Sequence, residues 1–288
     1  MKAVMKREWN SLYNTMTAPI FSAVLIAVIG IYFVAYNLNS GYPYFAYTLL
    51  STLFILMVTV PLLTMRSFSD ERKQKTDQIL LTSPLRVGDI VLGKFFALCG
   101  VLLFPCLLFC VCPLIIGSIG TSYPLTDYSA LLAYFFIGAM FISVGMYVSS
   151  LTESQVIAAV GTFAALLVIY LWQGIASLLP TTAKGSAAVV AIVLTALCLA
   201  FYNSTKNWVS ALIAWLVGAA AIVAVLLLKP DWLADLFSVY LADIAVTSIY
   251  ENFAYNNLFD LSGLLSVIIG TAFMLFLTAQ SLEKRRWS

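Results

Sequence analysis

Apolar runs near the roughly 20 residues that a helix needs to cross hydrocarbon recur along this chain at 19–38, 44–65, 95–118, 129–150, 156–179, 186–202, 208–228 and 261–281. One soluble core could not absorb so many. With 62% hydrophobic and 10% charged residues among 288, and a mean hydropathy of +0.99, the sequence reads as an integral membrane protein. The expected fold is all-α, a polytopic transmembrane helical bundle of about eight spans. The sixth run is the shortest and ends in the polar stretch "FYNSTKNW", so a re-entrant pair over 186–228 is the alternative to two full crossings.

Charge sidedness orients the bundle, because loop Lys and Arg collect on the cytoplasmic side. With the N-terminus inside and eight crossings, thirteen of the fifteen basic residues fall inside, leaving Lys184 and Lys229 outside. Both termini are therefore expected in the cytoplasm, and a six-span count keeps them there. Ahead of the first run, Met5, Trp9, Leu12 and Met16 recur at helical spacing while Lys2, Lys6 and Arg7 lie elsewhere. That pattern predicts an amphipathic helix over 1–18 in the cytoplasmic interface. The segment has charges and no small-residue cleavage site behind a short apolar core, so no cleavable signal peptide is expected. The one substantial external segment is 229–260, where Leu233, Phe237, Tyr240 and Ile244 share a helical face among Asp231, Asp235, Asp243, Glu251 and Asp260. It reads as an interfacial helix pair with solvated acids.

Several function classes lose support from what the runs lack. No Asp, Glu, Lys, Arg or His falls inside any of them, whereas ion-coupled transporters and pumps keep acids, bases or ion ligands near the midplane. The chain has no histidine and no paired intramembrane acids, so metalloprotease and aspartyl chemistry are disfavoured. A G-x-x-x-x-G-K-S/T phosphate loop is absent, and no enzymatic activity is expected of this chain. Cys99, Cys106, Cys110, Cys112 and Cys198 all lie in apolar runs. Their odd number argues against a disulfide framework, and the missing histidines and neighbouring carboxylates argue against a metal site. Neither a carbonyl-filter motif nor a charged ring suggests a selective channel. Small residues four apart, Gly145 with Ser149, Gly161 with Ala165 and Ala214 with Gly218, permit close helix approach.

The distinctive feature is the charge island "RSFSDERKQKTDQILLTSPLRVGDIVLGKF", residues 66–95, between two spans. Ser67 followed by Asp70 fits a helix start, with Asp70 and Glu71 in a first turn that favours negative charge. Glu71 with Lys75 and Lys73 with Asp77 have the spacing of exposed ion pairs. The helix is expected to turn apolar at Ile79, Leu80 and Leu81 and to end at Thr82-Ser83, ahead of Pro84. Val87, Ile90, Val91 and Lys94 then open a second helical pattern that runs into the third span. An apolar tip between charged flanks, joined to two spans, has the form of a piece that docks into a partner's groove. A solvated loop that only fixes topology is the plainer reading.

Three stretches carry a resemblance: "PLLTMRSFSDERKQKTDQILLTSPLRVGDIVLGKFFA" from Pro61 to Ala97, "IGAMFISVGMYVSSLTESQVIAA" from Ile137 to Ala159, and the ending "FLTAQSLEKRRWS". With the N-terminal "KREWNSLYNTMTAPI", they make the chain similar to permease subunits of ABC-2 type exporters, most closely the branch associated with bacterial gliding motility. The resemblance implies a non-catalytic half-transporter in the bacterial cytoplasmic membrane. Its partners would be a cytoplasmic ABC ATPase subunit that binds ATP and Mg, and a second permease copy or homologous permease. It leaves room for an accessory extracytoplasmic subunit and implies no cofactor in this chain and no nucleic acid. The whole of 1–288 would form one permease domain in which 66–94 is the coupling loop. Asp70, Glu71, Arg72, Thr76, Ile79, Leu80, Leu81, Ser83 and Pro84, with Glu153 from the next inner loop, would form the ATPase interface. Members of this branch typically have six spans, so 186–228 stands as an extra hairpin. The same loop would also serve a scaffold that anchors a cytoplasmic ATPase without transport, and less well a stand-alone channel or secondary transporter.

Overall fold

The computed structural model describes residues 1–76, 86–178, 182, 185–192, 194–195, 198, 208, 215–220, 225, 245–254 and 259–287. Every regular element among them is helical, as lipid demands of a backbone that must satisfy its own hydrogen bonds. In chain order these are α1 Lys2–Asn14, α2 Thr17–Phe33 continued by a wider π turn Val34–Asn39, α3 Phe45–Thr64, α4 Ser69–Lys73, α5 Val87–Phe109 and α6 Cys112–Ile119. They are followed by α7 Pro124–Leu151, α8 Gln155–Tyr170, α9 Trp172–Ser177, α10 Val246–Ala254 and α11 Leu261–Trp287.

Five stretches are long and apolar enough to cross a bilayer among the described residues: Thr17–Asn39, Phe45–Lys73, Val87–Ile119, Pro124–Leu151 and Leu261–Arg285. They coincide with the first four expected runs and the last. The fifth run is divided by a turn at Leu171, which leaves α8 apolar but shorter than a full span. Run six is described in part, run seven falls largely outside the described residues, and the external segment up to 244 lies wholly outside them.

Residues Met1–Tyr170 and Ile249–Ser288 form one compact unit, and Leu171–Ser248 a second. In the first, α7 is the most enclosed of the candidate spans and packs against α3, α5, α8 and α11. Glycine lets these helices meet. A Cβ at Gly145 would lie 2.2 Å from the Thr64 hydroxyl, and one at Gly138 would lie 2.5 Å from Leu102. Four buried threonine hydroxyls turn back on their own helices: Thr52 donates to Thr48 O, Thr59 to Ile55 O, Thr64 to Val60 O and Thr162 to Ala158 O. Each polar group is thus satisfied without a partner helix. In the second unit, Gly218 lies against the Leu194 side chain, where a Cβ would come within 2.4 Å.

The N-terminal helix forms where the sequence predicts it, and its apolar stripe does not by itself define the face it turns to the protein. Val4 is buried and Trp9 lies over Gly100, while Met5 and Met16 are exposed. The docking groove sets the face. At Gly93 and Gly100, seven residues apart on α5, added Cβ atoms would meet Val4 at 3.1 Å and Trp9 at 2.3 Å. Seven residues is two helical turns, so the missing side chains line one stripe.

Candidate functional site

Two charged residues that sequence reading placed just outside the spans are buried within the candidate-span helices. Lys94 is the eighth residue of α5 and 2% exposed; Asp127 is the fourth residue of α7 and fully buried. The runs themselves hold no Asp, Glu, Lys or Arg, as expected, but the helices begin before them and bury the charges at their ends. Both residues survive burial because distant segments supply their partners.

Around Lys94 those partners form an ion cluster. Its ammonium lies 3.0 Å from a Glu8 oxygen on α1 and 3.0 Å from a Glu71 oxygen on α4, and it donates to Ser67 O at 2.7 Å. The Phe68 ring centroid lies 5.0 Å from Nζ. Arg7 closes the cluster from outside, donating to Glu8 at 2.8 Å and to Glu71 at 2.6 Å. Two cations and two carboxylates thus tie α1, the loop helix and the start of the third span at one point. Burial pushes the Glu8 pKa upward, but the Lys94 charge and the hydrogen bonds from Arg7 and Lys94 outweigh it and hold the carboxyl below its ordinary value. Glu71 therefore faces inward, and the expected pair with Lys75 gives way to one with Arg7 and Lys94.

The loop helix is shorter than its sequence pattern suggests. Lys75 takes φ +58°, its N–H reaches Arg72 O at 3.1 Å, and Thr76 N–H reaches Glu71 O at 2.9 Å. This pair of bonds is the Schellman arrangement, with Lys75 in the left-handed position usually held by glycine. The helix accordingly stops at Lys73 rather than at Thr82-Ser83. Ile79, Leu80, Leu81, Ser83 and Pro84, like Asp77, lie outside the described residues.

The remaining loop contacts reach the α7–α8 turn. Phe68 and Ser69 N–H both donate to Ser149 Oγ, at 3.1 and 3.2 Å. Arg72 donates through Nη1 to Ser150 O, and Gln155 donates to Asp70. Thr76, exposed, directs its hydroxyl to Glu71 O at 3.3 Å. Glu153, also exposed, is 3.5 Å from Arg285 on α11. Of the predicted contact residues, Asp70, Glu71, Arg72, Thr76 and Glu153 are thus gathered at one end of the bundle, together with α1 and the Arg285 end of α11. Glu8 and Lys94 were not among them. Lys94 had been read only as a helix-pattern residue, and no local spacing pairs it with a residue 86 positions away.

The opposite end is held by caps. Asp127 Oδ1 accepts from Phe45 N–H at 2.8 Å and Ala46 N–H at 3.1 Å, capping α3 from α7. Asn37 donates to Tyr42 O and Tyr44 O at 2.8 and 3.1 Å and accepts from Thr48 at 2.7 Å. Tyr44 stacks on Tyr123 with centroids 4.7 Å apart, as suits a membrane interface.

The profile of one protein family, described as ABC-2 family transporter protein, matches residues 6–171. The matched region holds the ion cluster and the loop, and it stops where the second compact unit begins. No curated protein matches the chain. The match spans more than half of the 288 residues, and the chain belongs to the ABC-2 transporter family, whose members are membrane permeases of ABC transporters.

Proposed function

We propose that this ABC-2 family member is the permease subunit of an ATP-driven exporter, moved by a separate cytoplasmic ATPase that seats on the 66–94 loop. The observation that carries the reading is the Arg7–Glu8–Glu71–Lys94 cluster, which joins the loop helix to α1 and to the base of α5. A push on the loop reaches two further helices through charge-assisted bonds, so loop and spans move as one body. ATP and Mg belong to the ATPase, and this chain adds no cofactor.

Within that reading, Thr76 and Glu153 offer exposed contacts, Asp70, Glu71 and Arg72 brace the loop from within, and Ile79, Leu80, Leu81, Ser83 and Pro84 form the docking tip. A second permease, identical or homologous, completes the pathway at its interface. The collection of Arg7, Arg66, Arg72, Lys94 and Arg285 at one end supports a cytoplasmic placement of that end and of both termini in a bacterial inner membrane. The loop sequence supports the gliding-motility-associated branch, with eight spans and an added hairpin at 186–228. Affinity purification of the chain from gently solubilised membranes tests the partnership. An ABC ATPase should accompany the wild type and be lost from Leu80→Asp and Leu81→Asp. Equal recovery with these variants would remove the docking role from the tip.

A further inference from the structure

Beside the ion cluster, a cleft of about 410 Å³ opens between α1 and the 66–76 segment, with Arg7, Leu12 and Thr15 on one side and Arg66, Asp70 and Gln74 on the other. Most of its charge is already matched. Glu8 and Glu71 are neutralised by Arg7 and Lys94. Two charges of opposite sign are left over. Arg66 makes no ion pair among the described residues, and its buried Nε has no hydrogen-bond partner there. Among the described residues the Asp70 carboxylate receives the neutral amide of Gln155 and no cation. Ser67, 9% exposed and also lining the cleft, holds a hydroxyl that is likewise unpartnered among the described residues.

Depth identifies the source of a ligand that fits. Thr17, which also lines the cleft, begins the first candidate span, and Arg66 follows the end of α3 by two residues. The cleft therefore lies where lipid headgroups lie. The Arg66 guanidinium offers a planar fork that matches phosphate oxygens, while the Asp70 carboxylate, four residues further along the same wall, matches a cation. Over Arg7, Arg66 and Lys94 against Glu8, Asp70 and Glu71 the formal charge sums to zero. A purely anionic headgroup would leave Asp70 facing like charge. We propose that this cleft binds the phosphoethanolamine headgroup of a membrane phospholipid, with Arg66 on the phosphate and Asp70 on the ammonium.

Native mass spectrometry of the full-length, delipidated protein in detergent tests this, with phosphatidylethanolamine, phosphatidylcholine and phosphatidylglycerol added in turn. One phosphatidylethanolamine should be retained in preference to the other two, and Arg66→Gln should weaken retention by about tenfold or more, the loss expected for a charged hydrogen bond. Arg66→Lys, which keeps the charge and protects against a folding artefact, should retain an intermediate amount, and Asp70→Asn should erase the preference over phosphatidylglycerol. Water-soluble phosphoethanolamine and inorganic phosphate form the second arm. Displacement of the lipid by phosphoethanolamine, only at far higher concentration, is the expected result. Binding of either soluble compound with no retention of lipid would overturn the assignment to a lipid, and unchanged retention in Arg66→Gln would overturn the site itself.

Discussion

Replacing Lys94 by methionine keeps most of the unbranched side chain and removes its charge, leaving Glu8 and Glu71 with Arg7 as their shared cation. Each Lys94 contact spans 3.0 Å, a gross attraction of about 5 kcal/mol at an effective dielectric of about 20. Dehydrating the ammonium offsets much of this. Removal of one partner from a buried ion cluster costs about 3–5 kcal/mol, and because the two carboxylates remain 16% and 19% exposed, the lower value of about 3 kcal/mol is expected. Arg7, whose side chain is 53% exposed, provides the comparison, and Arg7→Gln should cost about 1 kcal/mol or less. The triple variant Lys94→Met, Glu8→Gln, Glu71→Gln should recover most of the loss, since no unpaired charge is left behind. Unfolding in mixed micelles, followed by tryptophan fluorescence, measures all three. A Lys94→Met loss no larger than that of Arg7→Gln would refute the view that Lys94 anchors the cluster.

Acidification should act on the same point. A carboxyl whose folded pKa is depressed contributes stability above its unfolded value, so the Glu8 contribution is present at neutral pH and is lost as pH falls below about 4.5. Slight burial raises Asp260, but the Gly263 N–H and the Ser262 and Asn252 side chains outweigh it, so Asp260 adds a loss of the same sign. Unfolding midpoints from pH 7 to pH 3 follow both, and Glu8→Gln should flatten part of the decline. Gly145→Ala should destabilise by about 1–3 kcal/mol through overpacking against Thr64, with Thr64→Ala, which removes the clashing hydroxyl, giving partial rescue in the same assay. Asp127→Ala leaves the Phe45 and Ala46 N–H groups buried without their acceptor, at about 1–3 kcal/mol each. Asp127→Asn, which keeps an acceptor oxygen, should be milder, and equal losses would show that the cap is not what Asp127 supplies.

The helical class, the positions of five spans and the charged break between the second and third spans were legible because apolar length and charge are local properties. The ends of the spans were not. A hydropathy run stops at the first charge, so it ended at Lys94 and at Asp127, whereas the helices begin earlier and bury those charges against residues 8, 45, 46 and 71. The face of α1 escaped for a related reason. Its apolar stripe is real, but two missing side chains on α5 decide which residues turn inward, and nothing within residues 1–18 records them. The early stop of the loop helix rests on Lys75 in a left-handed conformation, which its residue type does not announce. The resemblance located the loop within the chain, while its bracing to α1 came from geometry alone.

The central claim is that an ATPase drives this permease through the loop. The most direct measurement is the hydrolysis rate of the co-purified ATPase in proteoliposomes with the wild-type chain and with a Leu80→Asp, Leu81→Asp variant whose folding has been checked by its unfolding midpoint. The account predicts stimulation by the wild type and a return to the rate of the isolated ATPase with the variant. Equal stimulation by the two chains would contradict it.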